Sequence, residues 1–393
     1  MSKLRQSPKS LVVLLVMLLF GASVSITSVA TASTLSKHGR TSHSVRLEKL
    51  AVVTKSTSTI SLKVPAYTPI KPALGTDIYH CSILNPKNTT NEMITSTSFT
   101  AGTGQVHHAI LYLVYPAQVA AAEALDNGGK GWTCFGAPQL NGSNTISEVS
   151  SSPWLSAWAP GHGTDVEPVG TGMPLPAGSL IIMQIHYNLL VDCGPNGVNP
   201  TDHSAVTLKT VPAAHSVLKP LSIVNYVAPP NIPCPTGVTG PLCDRAASLV
   251  DLGQRFGQGE VNFVNLINAV CGNPAYGDST SCTWPVVNTA VIRRVTPHMH
   301  LLGATFTLTL NPGTANAKVL VNVTNYNFDY QQGYDISPPV SVSPGDKIQV
   351  TCSWNPNIRA LLPQTKDLPP RFITWGDGSS DEMCLAILGE TAN

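Results

Sequence analysis

Histidines at the ends of two apolar segments could together bind a metal ion. His107 and His108 begin one segment, and His186 ends another. Three imidazoles make a copper or zinc site. Adjacent strand residues point to opposite faces, so both His107 and His108 reach one ion only if the backbone is bulged, which Gly102 and Gly104 nearby make easier. Taken alone, such a pair is more commonly a surface or hydrogen-bonded pair.

A second histidine pair, His298 and His300, has a spacing that suits chelation. Residues i and i+2 of an extended segment lie on one face, so both rings can reach one ion, although two solvent-facing histidines would show the same spacing. Met383 carries a soft thioether that suits Cu(I), so two histidines with this methionine would favour copper over zinc. On composition alone, a methionine is more often a core residue.

The elements that must position these residues are short strands. Charged residues make up 11% of the 393 residues and the net charge is +1, so no basic stripe for nucleic acid and no acidic tail is present. Short apolar runs bounded by Pro, Gly and Asn predict an all-β fold of antiparallel β-sandwiches. The clearest strands are predicted at His108–Tyr115, Leu180–Tyr187, Ala205–Val211, Thr305–Leu310 and Lys347–Thr351. Helices are predicted only at Ala117–Leu125 and at Arg245–Phe256, where Asp244 is a suitable N-cap.

The amino terminus has the pattern of an export signal. Residues 1–32 combine Lys3, Arg5 and Lys9, the apolar run Leu11–Phe20 and a small-residue cleavage site. That run is shorter than the ~20 residues that span a bilayer, so we expect secretion and no stable membrane insertion after cleavage. Nine cysteines in an exported chain should mostly form disulfides, with an odd one remaining.

The pattern along the chain predicts two tandem domains. Residues 33–60 have the composition of a flexible leader. An N-terminal copper domain is predicted at 61–205 and a C-terminal copper domain at 206–393. A Cys-rich, partly helical insertion is expected at 226–290, between the two histidine clusters.

Four motifs in order resemble the copper type II, ascorbate-dependent monooxygenases. They are His107-His108, Gln184-x-His186-Tyr187-Asn188, His298-x-His300 and Asp381-Glu382-Met383-Cys384. The resemblance covers roughly residues 75–390 except the insertion. It implies jelly-roll-like domains that face each other across a solvent-filled cleft, two mononuclear copper sites, and hydroxylation of a C–H bond by O2 with a reductant such as ascorbate.

The resemblance also implies roles for individual residues. His107, His108 and His186 would be ligands of an electron-transfer copper, and His298, His300 and Met383 would be ligands of the catalytic copper. Cys81–Cys134 and Cys352–Cys384 would be family disulfides. Local bridges Cys234–Cys243 and Cys271–Cys282 would then leave Cys193 unpaired. No catalytic residue beyond the ligands is assigned.

Departures from the family pattern bear on the substrate. The peptide-amidating members carry an Arg where this chain has Thr296, and Asn and Tyr where it has Leu385 and Ile387. A peptide carboxylate is therefore a poor candidate, and a less polar small or differently anchored peptide-like substrate is expected. The alternatives are a non-catalytic secreted copper-binding protein of the same fold and a zinc hydrolase. Met383 and the lack of a carboxylate paired with a metal motif argue against the hydrolase.

Overall fold

The computed structural model describes residues 57–140, 153–189 and 198–393. The expected signal at 1–32, most of the expected leader, and Cys193 lie outside these residues. The described chain is mostly β, as predicted. Ser58–Lys63 is already a strand, so the last residues of the expected leader at 33–60 belong to the folded part. In the described part, no helix is both long and apolar enough to cross a membrane.

The described residues of the N-terminal half, 57–212, form two antiparallel sheets and one short α-helix. Its strands are β1 (Ser58–Lys63), β2 (Asp77–Leu84), β3 (Glu92–Thr100), β4 (Val106–Val114), β5 (Trp132–Thr133), β6 (Trp154–Trp158), β7 (Asp165–Val166), β8 (Thr171–Leu175), β9 (Leu180–Asn188) and β10 (Ala205–Pro212), and its helix is α1 (Val119–Leu125). One sheet has the order β5-β2-β9-β4-β6, and the other contains β1-β10-β3-β8. Ile94 and Leu208 of the second sheet pack with Leu111 and Met183 of the first in one buried core.

The C-terminal half, residues 219–393, repeats this arrangement. Its elements are β11 (Lys219–Val227), β12 (Asn231–Ile232), α2 (Arg245–Phe256), α3 (Gln258–Val270), β13 (Ser279–Pro285), β14 (Ala290–His298), β15 (Gly303–Leu310), β16 (Lys318–Val323), β17 (Tyr334–Val342), β18 (Lys347–Trp354), β19 (Ile373–Thr374) and β20 (Leu385–Thr391). The strand orders are β11-β20-β14-β17 and β13-β18-β15-β16. Ile292 and Leu388 from the first set pack with Phe306 and Val350 from the second.

The two halves are joined through a sheet. β8 pairs in parallel with β11, with Thr171 opposite Lys219, so one nine-stranded sheet runs through both halves. β10 pairs with β1 and β3. The boundary expected between 205 and 206 therefore falls at the start of a strand of the N-terminal half. An ion pair between Arg294 Nη1 and Asp165 Oδ1, 2.6 Å apart, adds a contact across the halves.

The region 226–290, expected to be a partly helical insertion, contains α2 and α3 and packs on the core of the C-terminal half. Asp244 caps α2 as predicted, accepting from the Ala247 N–H at 2.9 Å. α3 was not predicted from the sequence, because its Asn and β-branched residues have modest helix propensity. Its buried side chains nevertheless recur at helical spacing, as Val264 and Ile267 show. Together with Leu252 of α2 they belong to the core of the C-terminal half.

All four disulfides that the sequence suggested are present. They are Cys81–Cys134, Cys234–Cys243, Cys271–Cys282 and Cys352–Cys384. The five strands predicted most clearly and both predicted helices are also found, with end points shifted by a few residues.

Candidate metal centre

The first three histidines meet where β4 and β9 pair. His108 lies opposite His186, and the register shifts between Val106 and His108. This irregularity is the bulge that the sequence required, and it brings both adjacent rings to the same place. His107 Nδ1 and His108 Nδ1 are 3.1 Å apart, and His186 Nδ1 is 3.3 Å from His108 Nδ1. The three rings offer ligand atoms that all lie within 4.8 Å of one another.

His186 is held by two neighbours on β2. Its Nε2 is 2.8 Å from Asp77 Oδ1, and its ring stacks on Tyr79 with 4.2 Å between the ring centroids. Burial by itself raises the pKa of Asp77, but the hydrogen bond and charge of His186 and the hydrogen bonds from Ser379 lower this pKa overall. An ionised Asp77 accepts the Nε2–H of His186, which leaves the Nδ1 lone pair for a metal.

The chemistry of this set fits a metal ion. Burial, followed by the charges of neighbouring histidines, lowers the pKa of His107 and of His108 well below the usual range. Both rings are therefore neutral near pH 7, the form that binds metal. Among the described residues, the buried His107 Nε2 has no hydrogen-bond partner. Converging Nδ1 atoms at these distances are the arrangement that a bound cation would stabilise.

The second pair has one nitrogen of each ring already held. His298 Nδ1 is 2.7 Å from Gln331 Oε1, and His300 Nδ1 is 3.2 Å from the Asp381 carbonyl. Both acceptors fix the Nδ1–H tautomer and leave the lone pair on Nε2 free. His300 Nε2 is buried without a hydrogen-bond partner in the described chain. Burial is the main cause that lowers the pKa of His298 to about 4 and of His300 to about 3, so both imidazoles are neutral near pH 7.

Glu382 ties this pair to the methionine that follows it. Its fully buried carboxylate accepts the N–H of His300 at 3.0 Å, of Leu302 at 2.6 Å and of Met383 at 3.3 Å. It also accepts the indole N–H of Trp354 at 3.0 Å. Burial raises the pKa of Glu382 to about 8, against the lowering effect of these donors. One carboxylate therefore sets the backbone of both segments that carry the proposed ligands.

The structure brings the two histidine sets into one buried cluster. The ring centroids of His107 and His300 are 6.3 Å apart, and those of His108 and His298 are 6.2 Å apart. The expected solvent-filled cleft does not separate the two sets here. Phe328 packs against His107 with 4.9 Å between the centroids, on the side of the C-terminal half. Hydrogen bonds from Ser379 to Asp77 and from Tyr79 to Asp377 hold the two halves together here.

An apolar cavity of ≈ 180 Å³ adjoins the cluster, and His108, His298 and Met383 are part of its wall. Its aromatic lining comprises Tyr79, Phe135, Trp154, Trp158, Phe256, Phe263 and Trp375. Gln184, from the family-like motif, also lines it, but its amide accepts from Tyr112 at 3.3 Å and donates to the Cys134 carbonyl at 3.0 Å. Gln184 therefore supports the wall.

The cavity has an acidic end. Asp377 and Glu260 line it, and Asp377 Oδ2 and Glu260 Oε1 are buried oxygens with no hydrogen-bond partner among the described residues. Burial raises the pKa of Asp377 to about 7 and that of Glu260 well above its usual range. Glu260 belongs to α3, the helix that the sequence did not predict. No lysine or arginine lines the cavity in the described part of the chain.

Residues 275–388 match the family model of the copper type II ascorbate-dependent monooxygenase, C-terminal domain. The matched segment contains His298, His300 and Met383. This segment of the chain is therefore similar to the C-terminal domain of that monooxygenase family. The match does not include the N-terminal half. The proposal that His107, His108 and His186 are ligands therefore depends on their geometry and on the resemblance of their motifs.

Other comparisons add little to this family assignment. No curated protein matches the chain. Weak structural similarity is found to an allantoicase (11% identity, 85% of this chain, 90% of that chain, TM-score 0.20) and to allantoicase from Saccharomyces cerevisiae (9%, 82%, 79%, 0.19). A fucolectin from striped bass, Morone saxatilis, is also similar (7%, 85%, 97%, 0.18). TM-scores this low carry no argument about fold or function.

Several residues that shape the site were not singled out from the sequence. Asp77 and Gln331 each orient a histidine ring, and Phe328 packs between the two sets. Asp77 begins an apolar strand, which is a weak signal for a buried acid. Gln331 and Phe328 lie in a loop whose local pattern carries no signal at all.

Proposed function

We propose that the chain is a secreted copper monooxygenase that hydroxylates a C–H bond with O2 and a reductant such as ascorbate. In this proposal, His107, His108 and His186 bind an electron-transfer copper in a first β-sandwich domain. His298, His300 and Met383 bind the catalytic copper in a second. The observation that carries it is the convergence of five histidines beside an apolar cavity.

Copper at these positions would supply one-electron redox chemistry and activation of O2. The chain's own residues orient the ligands and exclude water. Asp77 holds His186, and Gln331 holds His298. In the overall balance, one oxygen atom of O2 enters the C–H bond and the other leaves as water, with two electrons from the reductant and two protons.

The cavity supports a small substrate without a carboxylate. Thr296, Leu385 and Ile387, the positions that depart from the peptide-amidating pattern, all line it. A cavity of about 150 Å³ holds a molecule the size of benzene, so ≈ 180 Å³ suits a compound of about one ring. An anionic group would meet the unpaired oxygens of Asp377 and Glu260 and no cation from the described lining. A hydrogen-bond donor on the substrate would satisfy those oxygens.

The test is a screen for hydroxylation on copper-loaded protein, with ascorbate and 18O2. The panel contains one-ring compounds, with and without a hydrogen-bond donor, and peptides that end in a carboxylate. We expect one 18O atom in the product of a small member with a donor group, and none with the peptides. Copper binding without product from any member would favour the non-catalytic copper-binding alternative. A product from the peptides alone would show that the substrate class is wrong.

A further inference from the structure

Asp77 receives donors from both halves of the molecule on one oxygen. Its Oδ1 accepts the His186 Nε2–H at 2.8 Å, the Ser379 hydroxyl at 2.9 Å and the Ser379 backbone N–H at 3.2 Å. Asp77 is 5% exposed and Ser379 is fully buried. Because burial leaves little water to replace these donors, each hydrogen bond affects the charge that Asp77 presents to His186.

Ser379 comes from the segment that also positions Met383. This segment runs from β19 to β20, and the Tyr79 hydroxyl donates to its Asp377 carbonyl at 2.7 Å. At its other end, Arg255 donates to both oxygens of Asp381, at 2.6 and 2.8 Å. The segment is therefore fixed on both sides of Ser379, and its placement decides whether the hydroxyl meets Asp77.

We propose that Ser379 is a positioning residue for the three-histidine site of the other half. A carboxylate behind a ligating histidine increases the basicity of the ring, and the strength of this effect follows the charge on the carboxylate. Ser379 withdraws part of that charge by donating to the same oxygen as His186. The C-terminal half thus adjusts the redox balance of a site whose ligands all lie in the N-terminal half. This inference rests on the proposed function only in requiring copper at that site.

Substitutions of Ser379 and of Asp77 should shift the reduction potential of this copper in opposite directions. Removing the Ser379 hydroxyl leaves more charge on Asp77, strengthens the His186 donor and favours Cu(II), so Ser379→Ala should lower the reduction potential of this copper. Asp77→Asn removes the charge and should raise the potential. It should also weaken Cu(II) binding about 10- to 100-fold, the usual effect of losing such a partner.

The test uses the full chain with His300→Ala, which removes the second copper site, loaded with one equivalent of copper. Potentiometric titration followed by the Cu(II) electron paramagnetic resonance signal gives the reduction potential. Ser380→Ala is the matched control, because Ser380 is the next residue and its side chain makes no contact with Asp77 among the described hydrogen bonds. Ser379→Thr keeps a hydroxyl and should return the potential towards that of the parent protein.

Opposite shifts for Ser379→Ala and Asp77→Asn, with Ser380→Ala unchanged, would support the proposal. Copper bound in all variants with the same potential would overturn it and leave the monooxygenase proposal intact. Failure of the His300→Ala parent to bind copper at the three histidines would contradict both. If Ser379→Ala does not fold, Ser379→Cys takes its place: the thiol is a weaker donor of similar size, so this variant should also lower the potential, and an unchanged potential would overturn the proposal.

Discussion

At the scale of single residues, the site depends on which ring nitrogen is free. Gln331 holds Nδ1 of His298, Asp381 holds Nδ1 of His300, and Asp77 holds Nε2 of His186. Each hydrogen bond fixes a tautomer and leaves the opposite lone pair for a metal. Among the described residues, no side chain holds the Met383 sulfur in a comparable way, so the proposed role of Met383 depends on its place in the cavity wall with His298.

The variant Met383→Ile distinguishes between two roles of Met383, as a copper ligand or as a core residue. A volume-conserving apolar exchange usually costs less than about 1.5 kcal/mol of folding stability, so the protein should fold. If Met383 is a ligand, hydroxylation should be lost and the sulfur contribution should vanish from the Cu(I) X-ray absorption spectrum. Copper at the three-histidine site should stay bound and reducible by ascorbate.

Met173→Ile is the matched control for this variant. Met173 is buried in the core of the N-terminal half, away from the proposed ligands. Its exchange should leave both activity and the sulfur signal unchanged. A folded Met383→Ile protein that turns over at the wild-type rate would show that the sulfur ligand has been assigned wrongly.

At the scale of elements, a disulfide links β18 to the residue that immediately precedes β20. Cys352 in β18 is bonded to Cys384, which lies between Met383 and the start of β20. β20 also pairs with β14, whose last residue is His298. The disulfide and the β14–β20 pairing therefore fix the Met segment against the strand that carries the histidine pair.

Removal of Cys352–Cys384 should destabilise the protein and loosen the Met segment. The bridge spans 32 residues, which corresponds to about 4 kcal/mol from loop closure alone. Urea unfolding of a Cys352→Ala, Cys384→Ala protein should show this loss, together with a weaker sulfur signal on copper. The bridge Cys234–Cys243 spans 9 residues and should be worth about 2.6 kcal/mol, without effect on copper. Equal effects of both removals on copper would contradict the anchoring role.

Glu390 in β20 gives a prediction on pH. It is buried, its Oε1 has no hydrogen-bond partner among the described residues, and burial raises its pKa from 4.5 to about 7. An acid with a raised pKa in the folded state costs nothing below its unfolded pKa. The cost grows as pH rises from the unfolded pKa to the folded pKa, and it is constant above the folded pKa. This cost is on the order of 3 kcal/mol above pH 7.

Glu390→Gln should therefore stabilise the protein more at pH 8 than at pH 4.5. The measurement is the free energy of unfolding in urea at both pH values, for the variant and the wild type. Glu123→Gln, at an exposed position of α1, is the control and should show no such difference. If Glu390→Gln increases the free energy of unfolding by the same amount at both pH values, the pKa of this carboxyl is not raised by burial.

At the scale of the whole molecule, the two halves assemble the site together. The Tyr79–Asp377 and Asp77–Ser379 hydrogen bonds join them at the histidines, and the Arg294–Asp165 ion pair joins them farther away. The nine-stranded sheet contains strands from both halves, so backbone hydrogen bonds also join them. The distance between the two histidine sets is consequently a property of the assembly and not of either half.

Copper loading followed by desalting should leave close to two ions per chain, because each half supplies one ligand set. His186→Ala should reduce the content to about one, since its ring is part of only the first set. Metal analysis by mass spectrometry measures both values. A wild-type content near one that His186→Ala does not change would rule out two independent sites.

The sequence by itself determined the elements and the chemical types at the site. Binary pattern and turn residues placed the main strands, and helical spacing with an N-cap at Asp244 placed α2, because these signals are local. The ligand types in the order of a known family predicted the reaction class. The need for a bulge at His107 and His108 also followed from strand geometry alone, and the structure has it.

Only the tertiary structure decided how the two ligand sets sit relative to each other. The contact of Asp77 with Ser379 joins residues 302 positions apart, and no local pattern encodes such a pairing. The acid Glu260 reaches the cavity only because α3 packs on the C-terminal core. Periodicity predicts which face of an element is buried, but the partner of that face depends on the packing of the whole chain. For that reason the sequence indicated the copper chemistry, and the fold was needed to show the cavity and the contacts that orient the ligands.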